Sequence, residues 1–378
     1  MIWVSVQTLL STTALPREWV FGAYLERRQV ALLVGPAGAS KSTAALAVAV
    51  AVATGGSFAG ETAPQPATVL VVSGEEDHSE LQRKLTGIIA QAGIGIEDIG
   101  DRLQFSSGGP IKLMEKESTN RLSETSFVND LTRYAIEVGA ALLILDPLIE
   151  FHPANENLNE EMGAVLTVIR RIARDANCAV LVVHHTGKGA KPGDLDAARG
   201  ASSIAGVVRS YRTLTPLDDK ERERMKLPVS QAGGYAVLHD AKTSHTALRT
   251  RGIVLERQSI VLTCGESVGV LVTVGEGADA AIAYDDSRLK RIAAAMGAVI
   301  EDELSVSQCC EKLLQQHPKL FPGYKAVDEY KGKLPGRLRD LVKAVVLRGQ
   351  EAPAQFELVE VDGQGGGGKK VMIRRRPA

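Results

Sequence analysis

The fold of this chain is indicated first by one stretch, Gly35-Pro36-Ala37-Gly38-Ala39-Ser40-Lys41-Ser42-Thr43. An apolar segment of strand character, Gln29–Val34, precedes this stretch, and a segment of helical character, Ser42–Thr54, overlaps its end. A glycine-rich turn from a strand into a helix is the context of a phosphate-binding loop, because backbone N–H groups and the helix N-terminus converge there on phosphate oxygens. Residues 35 to 43 are therefore predicted to bind ATP.

Two side chains of this loop have predicted roles. Lys41 would reach the β- and γ-phosphates, and the Ser42 hydroxyl would bind Mg²⁺. Ser40 stands where the motif usually has glycine, and a non-glycine residue in a left-handed conformation costs roughly 1 kcal/mol. The alternative is an ordinary glycine-rich turn with an exposed lysine. The flanking strand and helix favour the phosphate loop.

Apolar segments alternate with segments of helical period through the first two-thirds of the chain. The helix predicted over Asn159–Ala176, for example, repeats apolar residues at three- and four-residue steps. This alternation predicts an α/β fold with a mostly parallel sheet and helices on both faces. The other predicted strands are Thr68–Val72, Ala140–Leu145 and Cys178–Val183, and the other predicted helices are Ser79–Ala92 and Ser126–Val138.

The pattern changes after about Gly200, where five further strands are predicted to be antiparallel and to extend the same sheet. They are Val207–Leu214, Tyr235–His239, Ile253–Glu256, Ser259–Cys264 and Gly269–Val274. We place an N-terminal arm at 1–20, an ATPase core at 21–275 and a C-terminal module at 276–378.

The C-terminal module is built differently from the core. Helices are predicted over Asp285–Met296, Val306–Gln316 and Gly336–Leu347, followed by strands Phe356–Val361 and Lys370–Arg375 around a Gly-rich turn. Helices before a terminal hairpin suggest a winged-helix module, and a loosely structured tail is the alternative.

Composition limits the class of protein. The formal net charge is −1, so any nucleic-acid partner must be met by a local basic patch. Of the four cysteines none forms a CxxC pair, which argues against a zinc site or a disulfide framework. The longest apolar run is about half of the ~20 residues that a membrane span needs. We expect a cytoplasmic protein without a secretory signal or membrane partner.

Acidic residues follow two of the predicted strands. Ligands of open α/β sheets bind at the C-terminal ends of the strands. Glu75 follows Thr68–Val72 and is the candidate to orient the attacking water, with helix capping as the alternative. Asp146 follows Ala140–Leu145, the pattern of a carboxylate that holds Mg²⁺, and its alternative is a turn before Pro147.

A histidine pair and several arginines complete the candidates. His185 follows the strand Cys178–Val183 and could sense the γ-phosphate, although a lone histidine is more often structural. Arg199, Arg209 and Arg212 come next in the chain, and one of them could act as an arginine finger across a subunit interface. Spacing alone selects none of them.

Taken together, these stretches resemble the RecA-like AAA-domain ATPases of plasmids and phages, a family that includes hexameric replicative helicases. The resemblance covers roughly residues 15–275. The matching stretches are Leu15–Val20, Gly35–Thr43, Val71–Asp77, Leu142–Pro147, His184–Lys188 and Arg199–Ile204.

The resemblance implies a ring of subunits, six in the related helicases, with ATP between neighbours. It implies that Glu75 is the catalytic carboxylate, His185 the γ-phosphate sensor and Arg209 the arginine finger. Lys242 falls where related sequences carry a basic residue near the nucleotide. The loop Gly187–Ala198, with Lys188 and Lys191, is the candidate to grip single-stranded DNA.

A basic local surface is predicted in the C-terminal module. It could neutralise DNA phosphates without reading sequence, or it could be a solvated face. Its members are Lys331, Lys333, Arg337, Arg339, Lys343, Arg348, Lys369, Lys370 and Arg374–Arg376.

Three functions remain open at this point: a DNA-dependent ring motor, a RecA-like ATPase switch that does not unwind DNA, and a DNA-binding regulator with a degenerate core. ATP turnover separates the first two from the third, and strand displacement separates the first from the second.

Overall fold

A computed structural model describes most of the N-terminal two-thirds of the chain and parts of the remainder. The described residues are 3–11, 13–107, 111–119, 121–186, 206–225, 227, 230, 234–247, 252–276, 294–296, 298–300, 303–317, 356–361 and 370–375. The predicted DNA loop Gly187–Ala198, the helix Gly336–Leu347 and most of the basic C-terminal residues lie outside these ranges.

The helices follow the predicted periodic segments closely. In the predicted helix that begins at Asn159, the apolar positions Met162, Val165, Leu166, Ile169 and Ile172 are all fully buried. The described helices are α1 (Val6–Leu10), α2 (Lys41–Thr54), α3 (His78–Ala92), α4 (Ile96–Ile99), α5 (Ser126–Glu137), α6 (Asn159–Asp175), α7 (Asp219–Arg224) and α8 (Val306–Gln316). Short 3₁₀ turns lie at Gly100–Arg102 and Leu148–Phe151.

The strands of the core fall into one large sheet and three small hairpins. In chain order they are β1 (Trp19–Phe21), β2 (Leu25–Glu26), β3 (Val30–Gly35), β4 (Ser57–Phe58), β5 (Glu61–Thr62), β6 (Val69–Ser73), β7 (Leu103–Ser107), β8 (Met114–Lys116), β9 (Leu122–Glu124), β10 (Leu142–Asp146), β11 (Ala179–His185), β12 (Ser210–Pro216), β13 (Tyr235–Thr243), β14 (Ile253–Val261) and β15 (Ser267–Glu276). The hairpins are β1–β2, β4–β5 and β8–β9.

The central sheet has nine strands in the order β15-β14-β13-β12-β3-β11-β10-β6-β7. The six strands from β12 to β7 are parallel, whereas β13, β14 and β15 add antiparallel pairs at one side. The strand β11 lies between β3 and β10, so the strands that end at the phosphate loop, His185, Asp146 and Ser73 are consecutive neighbours. Their C-terminal ends therefore share one edge.

Helices cover both faces of this sheet, as predicted. The helices α2 and α3 pack in one apolar cluster with side chains such as Leu33, Val71 and Leu181. The helices α5 and α6 pack in a second cluster with alternate residues of the same strands, including Leu32, Leu70 and Val180. Since successive side chains of a strand point to opposite faces, strands covered on both faces must be apolar throughout. The α/β prediction is confirmed.

Several strand predictions are corrected by the pairing. The strand predicted at Val207–Leu214 begins at Ser210 and runs parallel to β3, whereas the strands of this region were expected to be antiparallel. The segments predicted as two strands between Ile253 and Cys264 form the single strand β14. The edge strand β7 was not predicted, because its sequence, LQFSS, is neither continuously apolar nor long.

The described part of the C-terminal module is a helix and a small sheet. The helix α8 and the strands β17 (Phe356–Val361) and β18 (Lys370–Arg375) have the predicted bounds. A further strand, β16 (Glu303–Ser305), pairs with β18, which gives the order β16-β18-β17. The winged-helix interpretation stays a prediction, because its third helix lies outside the described residues.

No helix in the described ranges is both long enough and apolar enough to cross a bilayer. The four cysteines are free thiols, and Cys178, Cys309 and Cys310 are buried.

Candidate functional site

The predicted phosphate loop lies where β3 ends and α2 begins. Gly35 is the last residue of β3, and a Cβ atom at this position would come within 2.3 Å of the Leu214 carbonyl oxygen on β12. The turn closes with Ala39 N–H donating to the Pro36 carbonyl at 3.2 Å. Close approach of the loop to a neighbouring strand therefore explains why glycine is needed at position 35.

Ser40 occupies the left-handed region, with φ 66° and ψ 31°, directly before the first residue of α2. Gly38 is also left-handed, with φ 72°. The Ser40 carbonyl accepts the first helical hydrogen bond from Ala44 N–H at 2.9 Å. The serine thus adopts the conformation that the motif usually assigns to glycine, at the cost of about 1 kcal/mol expected for an L-residue there.

Lys41 is buried at the start of α2, with 6% of its surface exposed. Its Nζ donates to the Pro36 carbonyl at 2.9 Å and lies 3.3 Å from His185 Nδ1. Burial lowers the pKa of Lys41, while the charges of Asp146 and Glu75 oppose this shift. The ammonium group is therefore a buried cation, and little water screens its attraction for an anionic ligand.

His185 connects Lys41 to Glu75. Its Nε2 lies 4.0 Å from Glu75 Oε1, on the other side of the ring from the Lys41 contact. Lys41 has only donors, so an uncharged His185 accepts at Nδ1 and carries its proton at Nε2, which faces the carboxylate. The preceding residue, His184, is fully buried and lies 3.7 Å from Glu156, so the two histidines have different surroundings.

Asp146 ends β10 beside the first turn of α2. Burial raises the pKa of Asp146 to about 6, against a lowering hydrogen bond from the Ser42 hydroxyl. The charge of Glu76 raises it further, and that of Lys41 lowers it. A carboxylate in this position is costly to ionise by itself, and it would be stabilised by a cation.

Glu76 is a site residue that the sequence reasoning did not select. It forms an ion pair with Lys84 of α3, and its Oε2 atom is buried without a hydrogen-bond partner. Its backbone N–H donates to Ser73 Oγ at 3.2 Å, which fixes the turn after β6. Its position in the same acidic run as Glu75 was the available signal, but only the structure shows that it faces Asp146.

The residues around Ser42 fit Mg²⁺. The ion prefers hard oxygen ligands, usually keeps several waters and is completed by substrate phosphates, so one hydroxyl and one carboxylate suffice. Ser42 and Asp146 supply these groups in hydrogen-bonding contact. Among the described residues no three His, Cys, Asp or Glu side chains form a metal-ligand cluster, so this part of the chain offers no all-protein cage.

Arg209 does not join this group of residues. Its side chain is exposed, and its N–H donates to the carbonyl of Val30, the first residue of β3, at 3.1 Å. The phosphate loop lies at the other end of β3, about 16 Å away at ~3.3 Å per residue. Burial lowers the pKa of Lys242, and the positive charge of Arg209 lowers it further. Lys242 therefore lies near Arg209. Arg209 and Lys242 form a basic pair at the other end of the sheet, where the parallel strands begin.

Comparison with known proteins identifies the family. One similar solved structure is that of a DnaB-like replicative helicase, described with its interactions with primase. The similarity has a TM-score of 0.41 at 14% identity and covers 61% of this chain and 55% of that chain. This chain thus spans about half the length of that helicase chain. Residues 4–191 match the family model of the AAA domain. With this match, a RecA-like parallel sheet and a phosphate loop at the expected edge, the chain belongs to the AAA-domain family of RecA-like ATPases.

Proposed function

We propose that this chain is an ATP-hydrolysing motor that acts on single-stranded DNA as a ring-shaped replicative helicase. The observation that carries the proposal is the convergence of Lys41, Ser42, Asp146, Glu75 and His185 at one edge of four adjacent strands. They supply a phosphate cation, two oxygen ligands for Mg²⁺, a carboxylate and a histidine, which together suit phosphoryl transfer to water.

The phosphates of ATP would bind along residues 35 to 43. Lys41 would exchange its contacts with the Pro36 carbonyl and His185 for oxygens of the β- and γ-phosphates. Ser42 and Asp146 would hold Mg²⁺, which neutralises charge on the phosphates when it is bound. Burial of Lys41 strengthens this attraction because little water competes with the phosphate for the ammonium group.

Glu75 is half-exposed beside this position and would orient the attacking water. His185 lies between Glu75 and Lys41, so it contacts both the water-orienting group and the phosphate-binding group. When Lys41 moves to a phosphate, its contact with His185 Nδ1 breaks. Because His185 ends β11, this change would transmit the presence of the γ-phosphate to β11. The chain continues from β11 into Gly187–Ala198, the segment we propose as the DNA-gripping loop.

Arg209 would complete the site of a neighbouring subunit. It lies at the sheet edge opposite its own phosphate loop, with its backbone fixed at both N–H and carbonyl. An exposed arginine that is too far from its own nucleotide suits action across an interface, where it would stabilise charge on the transferring phosphoryl group. Lys242 beside it would add a second positive charge. This arrangement requires a ring or filament of subunits with ATP between them, and we propose a hexamer.

The proposed function is tested by measuring ATP turnover with and without single-stranded DNA, together with particle mass in ATP and displacement of an annealed strand. We expect turnover stimulated by DNA, a mass near six subunits and displacement that requires ATP. The Glu75→Gln variant is the control, because it should bind ATP and assemble without turnover. Turnover without displacement would support an ATPase switch instead, and absence of turnover would contradict an ATPase motor altogether.

The raised pKa of Asp146 predicts a pH dependence of Mg²⁺ binding. Without a cation the carboxyl group titrates near pH 6, because burial disfavours its charge. Mg²⁺ needs the ionised form, so each unit of pH below 6 should weaken Mg²⁺-dependent nucleotide affinity by up to about tenfold, whereas affinity should be flat above pH 7.

The measurement is titration calorimetry with a non-hydrolysable ATP analogue and Mg²⁺ between pH 5 and pH 8, as approximate limits. The Asp146→Asn variant is the control, since it has no proton to release. Its weaker affinity should not change across the same range. An unchanged affinity of the parent protein below pH 6 would exclude Asp146 as the group that must lose a proton.

A further inference from the structure

A buried ionic network near the basic pair joins side chains of β12, β13 and β5. Arg212, with 4% of its surface exposed, donates from Nη2 to Glu61 Oε1 at 2.6 Å and from Nε to Asp240 Oδ1 at 2.7 Å. Its guanidinium group also lies 3.9 Å from the centre of the Tyr24 ring. Both carboxylates are nearly buried, with 7% of each side chain exposed. Four separate segments meet at this one arginine.

Such a network is expensive and is weak evidence for stability by itself. Taking three charges out of water costs free energy that their attraction recovers only partly, and apolar replacements of similar volume are often as stable. The best-attested use of buried ionic groups is to fix one arrangement of the backbone.

The network coincides with a break in strand register. Tyr211 faces Lys242, but the next residue, Arg212, faces Asp240, so Ala241 is an extra residue on β13. A bulge of this kind bends the strand and re-aims the side chains beside it. The ion pair between Arg212 and Asp240 closes the bulge on one side, and Lys242 follows it directly.

The bulge also determines where Arg209 lies. The segment of β13 after the bulge pairs Thr243 with Ser210, and Ser244 N–H donates to the Arg209 carbonyl at 2.9 Å. The turn that follows is tied to the β1–β2 hairpin by an ion pair between His245 and Glu26. Tyr24 belongs to the same hairpin and donates its hydroxyl to the Leu32 carbonyl at 2.9 Å. One continuous set of contacts therefore runs from the network to both members of the basic pair.

We propose that Arg212, Glu61 and Asp240 are positioning residues, which set the bulge at Ala241 so that Arg209 and Lys242 project together toward a neighbouring subunit's nucleotide. This inference rests on the proposed action of Arg209 across an interface. We infer that the network acts through the backbone of β12 and β13 and not by contact with ATP or Mg²⁺.

The position of the Glu61 carboxylate depends on a glycine at position 22. Glu61 Oε2 accepts from Ala23 N–H at 3.1 Å. Gly22 is left-handed, with φ 49°, and a Cβ atom at this position would lie 1.7 Å from Glu61 Oε2. The chain therefore turns at Gly22 in a way that leaves room for the carboxylate.

The test uses a neutral network, the triple variant Glu61→Gln/Arg212→Met/Asp240→Asn, which leaves no unpaired buried charge. A displaced catalytic group lowers turnover without weakening substrate binding at an intact site. We expect kcat for ATP to fall by on the order of 10–100-fold while KM stays unchanged. The single variant Asp240→Asn should likewise show a lower kcat and an unchanged KM. It replaces the triple variant as the test if the triple variant does not melt cooperatively.

Subunit mixing distinguishes positioning from loss of structure. Mixed with Lys41→Ala protein, whose basic pair is intact, the triple variant should regain turnover, because its own nucleotide site then receives a well-placed arginine. Mixed with Arg209→Ala protein, it should regain none. The control is Glu266→Gln, which removes an exposed ion pair of the same 2.7 Å length with Arg83 and should keep the parent kcat.

Two outcomes would overturn the inference: a neutral network with the parent kcat, or recovery with Arg209→Ala but not with Lys41→Ala. The Arg209→Ala variant shows separately whether the proposed action across the interface fails. If Arg209→Ala alone keeps the parent kcat, the proposed action across the interface is wrong, and the positioning role is wrong with it. If Arg209→Ala loses turnover while the neutral network keeps it, only the positioning role is contradicted.

Discussion

Replacing Lys41 with alanine is expected to lower ATP turnover by on the order of 10³-fold or more and to weaken nucleotide binding. Lys41 is the buried cation at the start of α2, in contact with the Pro36 carbonyl and His185. Without it, the negative charge that develops on the phosphates during hydrolysis loses its cation from the same subunit and meets only backbone dipoles, Mg²⁺ and the basic pair of a neighbouring subunit. Phosphate release at saturating ATP and calorimetric titration with a non-hydrolysable analogue measure the two effects.

The Lys41→Ala protein should fold normally. Burial lowers the pKa of Lys41 because the ammonium group loses hydration in the folded protein, and removing the group relieves that cost. Its melting temperature should therefore not fall. Lys116→Ala is the matched control, since Lys116 forms only a surface ion pair with Glu161 at 3.3 Å. Parent-like turnover in Lys41→Ala would show that the nucleotide site is elsewhere.

Replacing Arg209 with alanine is expected to remove hydrolysis and to spare ATP binding. An arginine that reaches a transferring phosphoryl group contributes roughly 10³–10⁵ in rate. The basic pair lies about 16 Å from its own phosphate loop, by the rise of the strand between them. We therefore expect its target to be in another subunit, and binding at its own loop should be unchanged. The measurements are kcat and analogue affinity on the same preparation.

Mixing separates action across an interface from action within one chain. Arg209→Ala protein has an intact site, and Glu75→Gln protein has an intact arginine, so mixed assemblies should regain turnover at the junctions that combine the two. Arg133→Ala is a control for loss of an exposed arginine, since Arg133 forms an exposed ion pair with Asp130 in its own helix. If no mixture regains turnover, the arginine does not act between subunits.

Much of the secondary structure could be predicted because its signals are local. The helix α6 begins at the predicted residue and ends one residue before its predicted end, since a run of apolar residues at helical spacing can bury one face only as a helix. The strand β14 was divided in two because the polar residues Arg257 and Gln258 interrupt its apolar pattern. On the sheet's outer part a strand tolerates such residues, because water covers part of its surface.

The site was only partly predictable, for a related reason. Glu75, Asp146 and His185 could each be selected because parallel strands bring their C-terminal ends to one edge. The proximity of Lys41 to His185 required β11 to lie beside β3, a pairing such as Val180 with Val30 between residues 150 positions apart in the chain. The pairing of β12 with β3 likewise places Arg209, which directly precedes β12, at the opposite end of the sheet. No window of sequence contains that information.

The sequence by itself determined the alternation of strands and helices, the phosphate loop and the acids that follow the strands, because these depend on periodicity, turn chemistry and charge within short segments. Only the tertiary structure decided the order of the strands, the separation of Arg209 from Lys41, and the bulge at Ala241 closed by Arg212. Those features depend on which strands pair and in which register, and that choice is made by packing and charge across the whole sheet.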